Sequence, residues 1–136
     1  MRYYLQASVG GLCEHLGVDK DEALRLIRLS VTLAKEARQK FAMGPSNDHD
    51  GRSTPLVAGS VGPYGACQHD GSEYHGNYVD HMTTEKLKEW HRPRMGELLA
   101  SGADILACET IPAKVWLLTH LFQWSQFTSL LHENAG

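Results

Sequence analysis

Glu109 is the residue whose type and position point most directly to chemistry. It follows the apolar run Ile105-Leu106-Ala107-Cys108, where an ionised carboxylate is costly to bury without a partner. A carboxylate at the end of a strand could bind a substrate ammonium group or act as a general base. It could equally reach solvent or pair with a neighbouring lysine or arginine. Position alone favours neither alternative.

A second candidate is the glycine series Gly59, Gly62 and Gly65, whose members are three residues apart. Glycine lets the backbone turn tightly and approach a ligand closely. The series does not form a dinucleotide-binding fingerprint, because that motif opens directly into a helix, whereas Pro63 and a long loop follow here. We therefore favour a plain turn.

Metal-competent side chains occur in two polar segments. One segment contains His69, Asp70, Glu73 and His75, and the other is Asp48-His49-Asp50. Neither has the helical i, i+4 spacing or the thiolate pairs that make a zinc motif specific. Exposed loop polarity is the interpretation we favour for both.

The cysteines are Cys13, Cys67 and Cys108, an odd number at wide spacing. A disulfide framework would leave one thiol over, so the pattern favours a reducing cytosol. They are spread over three predicted elements and contain no C-x-x-C pair, which makes a thiolate zinc site a weak interpretation. We expect them to be core or incidental thiols.

Length and charge exclude several classes of protein. The chain has 136 residues, 42% of them hydrophobic, which suits one small globular domain and argues against disorder. Thirteen Lys and Arg stand against sixteen Asp and Glu, so the basic excess expected of a nucleic-acid-binding protein is missing. No secretory signal or membrane span is evident, and we expect a soluble, cytoplasmic chain without nucleic acid or membrane as a partner.

The elements that would position these residues alternate between strand and helix. The order predicted is strand Tyr3–Ser8 ended by Gly10-Gly11, helix Lys20–Phe41 capped by Asp19 with Glu22, strand Leu56–Val61, loop Gly62–Met82, helix Thr83–Gly102 and strand Ala103–Thr110. We expect Pro93 to kink its helix. Both later strands are continuously apolar, which is typical of strands covered on both faces.

Helical connections of this length favour a parallel α/β sheet. In such sheets ligands bind at the carboxyl ends of the strands and in the loops just beyond them. The segments that qualify here are Gln6–Gly11, Ser60–Tyr78 and Glu109–Pro112. The unusual length of the loop after Val61 favours a functional role for it.

Several motifs together carry a family resemblance. They are Val57-Ala58-Gly59-Ser60-Val61-Gly62-Pro63-Tyr64-Gly65-Ala66, Asp70-Gly71-Ser72-Glu73-Tyr74-His75-Gly76-Asn77-Tyr78, His91-Arg92-Pro93-Arg94 and Leu106-Ala107-Cys108-Glu109-Thr110-Ile111-Pro112. In this order they closely resemble the homocysteine S-methyltransferase family. The similarity runs from about Tyr4 to Lys114 and covers about a third of a usual family member.

The resemblance implies a (β/α)8 TIM barrel that methylates homocysteine to methionine, with S-methylmethionine or S-adenosylmethionine as the methyl donor. It implies that Glu109 holds the homocysteine amino group, and that Gln6, Ser60 and Tyr64 belong to the pocket wall. In the family, a zinc ion held by three cysteines binds the substrate sulfur as a thiolate, which can then attack a sulfonium methyl group.

The sequence also departs from the family pattern. The family's first strand and its zinc-ligand cysteines are missing, and Cys13, Cys67 and Cys108 align with none of those ligands. We therefore expect a fragment of about three βα units over residues 1–114 and a divergent, apolar, helical tail over 115–136, as in a truncated isoform or an incomplete gene model. Such a chain is expected to bind no zinc, to be inactive alone and to self-associate through open sheet edges. The alternative is a non-catalytic fragment that binds an amino acid or a partner.

Overall fold

The computed structural model describes residues 8–42 and 54–112. Three predictions lie outside the described residues: the strand segment 3–7 with Gln6, the polar segment 44–53 with Asp48-His49-Asp50, and the tail 115–136 with the boundary at 114. The described part contains, in chain order, helices α1 (Val9–Leu16) and α2 (Lys20–Ala42), strand β1 (Ala58–Val61), helices α3 (Ser72–His75) and α4 (Thr84–Ala100), and strand β2 (Ile105–Cys108). Two short 3₁₀ turns, Tyr64–Cys67 and Asn77–Asp80, flank α3.

The two strands form a parallel sheet, as the helical connection between them predicts. Ala58 pairs with Ile105 at the start of the ladder, and Val61 pairs with Cys108 at its end. The carboxyl ends of β1 and β2 therefore lie at the same edge of the sheet. The described chain is thus a mixed α/β fragment with a two-stranded parallel sheet.

The described residues form two compact units. The first contains residues 8–42, 54–61 and 92–108, and the second contains 62–91 and 109–112. In the first unit the buried residues of α2 are Ala23, Ile27 and Val31, which recur every four positions on one helix face. Val57, Val61, Met95, Leu98 and Ala103 complete its buried apolar set.

Helix α2 begins where the sequence predicts. The Asp19 carboxylate accepts a hydrogen bond from the Glu22 backbone N–H at 2.8 Å, which satisfies one of the free amides of the first turn. The Glu22 carboxylate, however, binds the Arg25 guanidinium at 2.6 and 2.7 Å instead of completing a reciprocal capping box. The Arg25 hydrogen bond lowers the pKa of Glu22.

The start of α1 corrects the first prediction. Gly10 and Gly11 do not end a strand, because both lie inside helix α1. Ser8 forms the N-cap, and its hydroxyl accepts a hydrogen bond from the Gly11 N–H at 2.9 Å. A good cap beside a short apolar run outweighs the low helix propensity of the two glycines. Gly17, with φ of 66°, ends the helix.

Helix α4 begins and ends at the predicted signals. The Thr83 hydroxyl accepts from the Lys86 N–H at 3.3 Å, and Gly102, with φ of 85°, follows the last turn. Leu87 and Leu98 are buried, and Trp90 is half-buried. Pro93 lies inside the helix, where it removes one backbone donor. The kink at Pro93 stays a prediction.

Two expectations about the sheet and the long loop are wrong. The strands are not covered on both faces, because Ala58 and Ile105 are exposed while Gly59 and Val61 are buried. The segment Gly62–Met82 is not structureless either: left-handed glycines at 71 and 76 let three short helical turns begin and end within it.

None of the helices in residues 8–42 and 54–112 is both long and apolar enough to cross a bilayer.

Candidate functional site

Ser60 is the predicted pocket residue that lies in the sheet itself. It is the third residue of β1, is half-buried, and is paired in register with Ala107 of β2. It also lines an apolar cavity of about 260 Å³ in the first unit, together with Leu12, Ile27, Val31, Gly59 and Arg94 among others. Ser60 therefore contributes a hydroxyl to an otherwise mostly apolar wall near the carboxyl end of β1.

Tyr64 begins the 3₁₀ turn after β1 and is the centre of an aromatic cluster. Its ring centroid is 5.5 Å from that of Tyr78 and 5.2 Å from that of Trp90, with both pairs in edge-to-face geometry. Edge-to-face contacts of this kind stabilise a cluster beyond the area that they bury. Tyr64 stays half-buried, whereas Tyr78 is buried and its burial raises the pKa of the Tyr78 hydroxyl. The cluster holds Tyr64 in place while leaving part of its surface accessible.

Gly65, a member of the glycine series, packs closely against the backbone of its own chain. A Cβ atom at Gly65 would lie 2.5 Å from the backbone nitrogen of Glu73 and from the carbonyl carbon of Ser72. The Ser72 hydroxyl donates a hydrogen bond to the Gly65 carbonyl at 3.2 Å. The absence of a side chain at Gly65 thus lets two turns of the loop pack together, which agrees with the plain-turn interpretation.

The polar segment after this turn is organised by hydrogen bonds within the loop. The Asp70 carboxylate accepts from the Ser72 N–H at 2.9 Å. Hydrogen bonds from Ser72, and more weakly the nearby His75, lower the pKa of Asp70. His69 has a left-handed backbone with φ of 56°. These contacts give Asp70 a structural role in the turn, consistent with exposed loop polarity.

Glu109 directly follows β2, so its carboxylate is placed just past the carboxyl end of the strand. Its side chain is exposed, and Thr110, the next residue, is exposed as well. Thr110 has a positive φ of 53°, which is rare for a β-branched residue. An accessible carboxylate at this position can bind a cationic group such as an ammonium.

The residues described here do not fit the family's three-thiolate zinc site. Cys13 lies in α1, Cys67 in the first 3₁₀ turn and Cys108 at the end of β2. Within residues 8–42 and 54–112, no group of three or more His, Cys, Asp or Glu side chains is arranged to hold a metal ion. We derive no chemical step through zinc for these residues.

Sequence reasoning missed two buried polar residues on α4. His91 is fully buried and Arg94 is 2% exposed. They fall four and seven positions after Leu87, on the same helix face as Leu98, and this spacing is the signal that could have revealed their burial. Burial raises the pKa of the Cys108 thiol, and the Arg94 charge opposes this shift. Arg94 thus brings positive charge toward the end of β2.

Of the four predicted pocket residues, Gln6 lies outside the described residues. Ser60 and Tyr64 lie at and just after the end of β1, and Glu109 follows β2. All three belong to the segments at which the parallel strands end. This is the arrangement that α/β sheets use to bind ligands.

The chain is similar in sequence to several known proteins. A family model described as "Homocysteine S-methyltransferase" matches residues 5–118. The chain is 52% identical to Homocysteine S-methyltransferase YbgG of Bacillus subtilis over 96 residues, or 71% of this chain and 30% of that protein. It is 46% identical to Betaine-homocysteine S-methyltransferase of Drosophila melanogaster over 107 residues, or 79% of this chain and 32% of that protein.

A solved structure is similar as well. The metallated form of the homocysteine methyltransferase MmuM from Escherichia coli superposes with a TM-score of 0.79 at 41% identity, covering 91% of this chain and 41% of that one. The chain spans about a third of the length of the curated relatives that it matches. With the family match extending over residues 5–118, the chain belongs to the homocysteine S-methyltransferase family.

Proposed function

We propose that this chain binds homocysteine and that Glu109 holds the amino group of that ligand. The observation that carries the proposal is the exposed Glu109 carboxylate directly after β2, in a chain that belongs to this family. At neutral pH the amino group is an ammonium cation, so the carboxylate supplies a charge-assisted hydrogen bond. Ser60, Tyr64 and Gln6 form part of the pocket wall in this proposal.

The reaction in which this pocket takes part is methyl transfer to the homocysteine sulfur, which gives methionine. The donor is S-methylmethionine or S-adenosylmethionine, whose sulfonium methyl group is a good electrophile. Residues 1–114 form part of a (β/α)8 barrel in this proposal, and residues 115–136 form a divergent tail. In this proposal the chain contributes substrate binding and does not complete the transfer alone, because Cys13, Cys67 and Cys108 align with none of the zinc ligands of the family that the sequence resembles.

Calorimetric titration of the chain with L-homocysteine tests the binding proposal. We expect saturable binding that Glu109→Gln weakens by roughly tenfold to a hundredfold, the range expected for a hydrogen bond to a charged group. Glu36→Gln makes the same chemical change at an exposed position of α2 and should leave binding unchanged. Equal affinities for wild type and Glu109→Gln would contradict the role of Glu109.

A methyl-transfer assay tests the proposed inactivity of the isolated chain. The assay supplies L-homocysteine, either sulfonium donor and zinc, and methionine is measured by mass spectrometry. We expect no methionine above the enzyme-free background. Turnover together with one equivalent of bound zinc would contradict the proposal and would indicate that the chain assembles a metal site.

Exposed apolar side chains support a second candidate function, namely association with another chain. In the first unit these include Leu16, Leu33, Phe41, Leu56 and Ile105. Ile105 belongs to β2, which has a single strand neighbour among the described residues. Light scattering after size-exclusion chromatography should therefore give a mass that rises with concentration. A strictly monomeric mass would exclude self-association through the sheet edges.

A further inference from the structure

Helix α2 has an exposed apolar surface beside the side that packs into the core. Leu29 is 38% exposed and Leu33 is 54% exposed. Leu26 and Ala37 belong to the same helix, and at about 100° per residue all four side chains lie within roughly a quarter of its circumference. The buried residues of α2 are centred roughly a third of a turn away. The four residues therefore form a separate surface, which we call the outer face of α2.

Two opposite charges stand at the ends of the outer face. Glu22 lies at its N-terminal end, and Lys40 lies at its C-terminal end. The Glu22 side chain is 38% exposed while it binds Arg25 at 2.6 Å, and a carboxylate can accept further hydrogen bonds. Lys40 is exposed and forms no ion pair within residues 8–42 and 54–112. The outer face thus has an acidic end and a basic end.

This charge pattern is complementary to itself when two copies of α2 pack antiparallel. Glu22 lies seven residues before Leu29, and Lys40 lies seven residues after Leu33. If Leu29 of one copy packs against Leu33 of the other, the same register therefore brings Glu22 of one copy opposite Lys40 of the other. Two-fold symmetry repeats both contacts, because each copy uses the same surface. A parallel pair would instead bring like charges together, which is unfavourable.

We propose that the outer face of α2 is the surface through which two copies of this chain associate as an antiparallel helix pair. The inference rests on the second candidate function, association with another chain, and it specifies both the partner and the surface. It is independent of homocysteine binding. Because a two-fold contact uses the same surface of both copies, association through it closes at a dimer.

A substitution in the middle of the outer face tests the surface. Size-exclusion chromatography with light scattering should give a wild-type mass that rises with concentration toward twice the 15.1 kDa of the chain. Leu33→Glu should raise the dissociation constant at least about a hundredfold, because it places a charge in the apolar contact twice per dimer. Leu56→Glu is the matched control, since Leu56 is 64% exposed, precedes β1 and lies outside the outer face. That variant should associate like wild type.

Charge reversal tests the antiparallel register. Lys40→Glu places a carboxylate opposite Glu22, and Glu22→Lys places an ammonium opposite Lys40, so each variant alone should dissociate about tenfold more readily than wild type. An equimolar mixture of the two variants should associate within about threefold of wild type, because both ion pairs form again in reversed orientation. Lys86→Glu makes the same change on α4 and should have no effect. Circular dichroism verifies that every variant is folded.

The failure of this inference can be distinguished from failure of the second candidate function. A wild-type chain that stays monomeric would overturn both. Association that Leu33→Glu leaves undiminished would overturn the inference, and the sheet edge would remain as the surface of the second candidate. Unchanged association of folded Lys40→Glu and Glu22→Lys would overturn the antiparallel pair.

Discussion

Asp104 and Val57 bind each other through two hydrogen bonds at the start of the parallel sheet. The Asp104 carboxylate accepts from the Val57 backbone N–H at 2.7 Å, and the Val57 carbonyl accepts from the Asp104 N–H at 2.9 Å. Arg38 of α2 donates to the same carboxylate at 2.6 Å. The Asp104 side chain therefore connects the residues that precede both strands to helix α2. These hydrogen bonds lie at the end of the strands opposite to Glu109.

We predict that Asp104→Asn lowers the midpoint of thermal unfolding at neutral pH. The Val57 hydrogen bond, together with the Arg38 charge, lowers the pKa of Asp104. A lowered folded-state pKa stabilises the fold above the ordinary value of about 3.9, and this stabilisation is lost as the pH falls through the lowered value. The difference in unfolding midpoint between wild type and Asp104→Asn should therefore disappear in acid. Glu36→Gln should show no such gap, and a gap that persists below pH about 2 would contradict this explanation.

Gly65→Ala should destabilise the second unit. Its Cβ would meet backbone atoms at 2.5 Å, and backbone cannot move aside as a flexible side chain can. We expect a loss of about 1–3 kcal/mol or more in the free energy of unfolding, measured by urea denaturation. Gly10→Ala is the matched control, because nothing lies within 4 Å of a Cβ there. That control should gain about 0.5–1 kcal/mol, since alanine favours a helix interior. Equal effects of the two substitutions would contradict the packing of the loop.

Tyr78→Phe should stabilise the chain. Tyr78 is 5% exposed, and its hydroxyl has no hydrogen-bond partner among the described residues. Removing an unsatisfied buried hydroxyl should raise the free energy of unfolding by about 1 kcal/mol. Tyr74→Phe is the control, because Tyr74 is 75% exposed and the same change should have no effect there. A loss of stability in Tyr78→Phe would reveal a hydrogen bond to that hydroxyl.

The raised pKa of Tyr78 adds a prediction for alkaline solution. A group whose pKa is raised on folding contributes its full stabilisation of the fold below its unfolded-state pKa, which is about 10 for tyrosine. That stabilisation is lost as the pH rises from this value through the folded-state pKa. Wild type should therefore lose stability above pH about 10 more steeply than Tyr78→Phe does. Thermal unfolding followed across this range measures the difference, and parallel curves would contradict the burial of the hydroxyl.

Thr110→Gly should raise the stability of the chain. Relief of the left-handed strain should raise the free energy of unfolding by about 1–3 kcal/mol. The greater flexibility of glycine in the unfolded chain should lower it by about 0.5–1 kcal/mol. A net gain of about 1 kcal/mol is expected in urea denaturation. Thr32→Gly, at an exposed helical position, should instead lose about 0.3 kcal/mol, the difference between the helix propensities of the two residues. A destabilised Thr110→Gly would show that threonine is not strained there.

The elements governed by local sequence were predicted well. Asp19 caps α2 because its carboxylate reaches an amide three residues away, and Gly102 follows α4 because it adopts a left-handed backbone. The parallel pairing of the strands followed from the long helical connection between them. These features depend on residues close together in the chain or on connection length, and both are visible in a sequence.

Features set by the surroundings could not be predicted in the same way. The Gly10-Gly11 pair has low helix propensity, yet it lies inside α1, whose N-terminus is stabilised by the Ser8 cap. Burial of Arg94 depends on what packs against α4, and the β1 residues that line a cavity with it lie elsewhere in the chain. The left-handed φ of Thr110 has no sequence signal, since threonine disfavours it. For the site, the position of Glu109 after a strand was predictable from the apolar run that precedes it.

Titration of the wild-type chain and of Glu109→Gln with L-homocysteine tests the central claim most directly. We predict saturable binding by wild type, an affinity roughly tenfold to a hundredfold weaker for Glu109→Gln, and an unchanged affinity for Glu36→Gln. Absence of binding by wild type, or undiminished binding by Glu109→Gln, would contradict the claim that this chain recognises homocysteine through the carboxylate that follows β2.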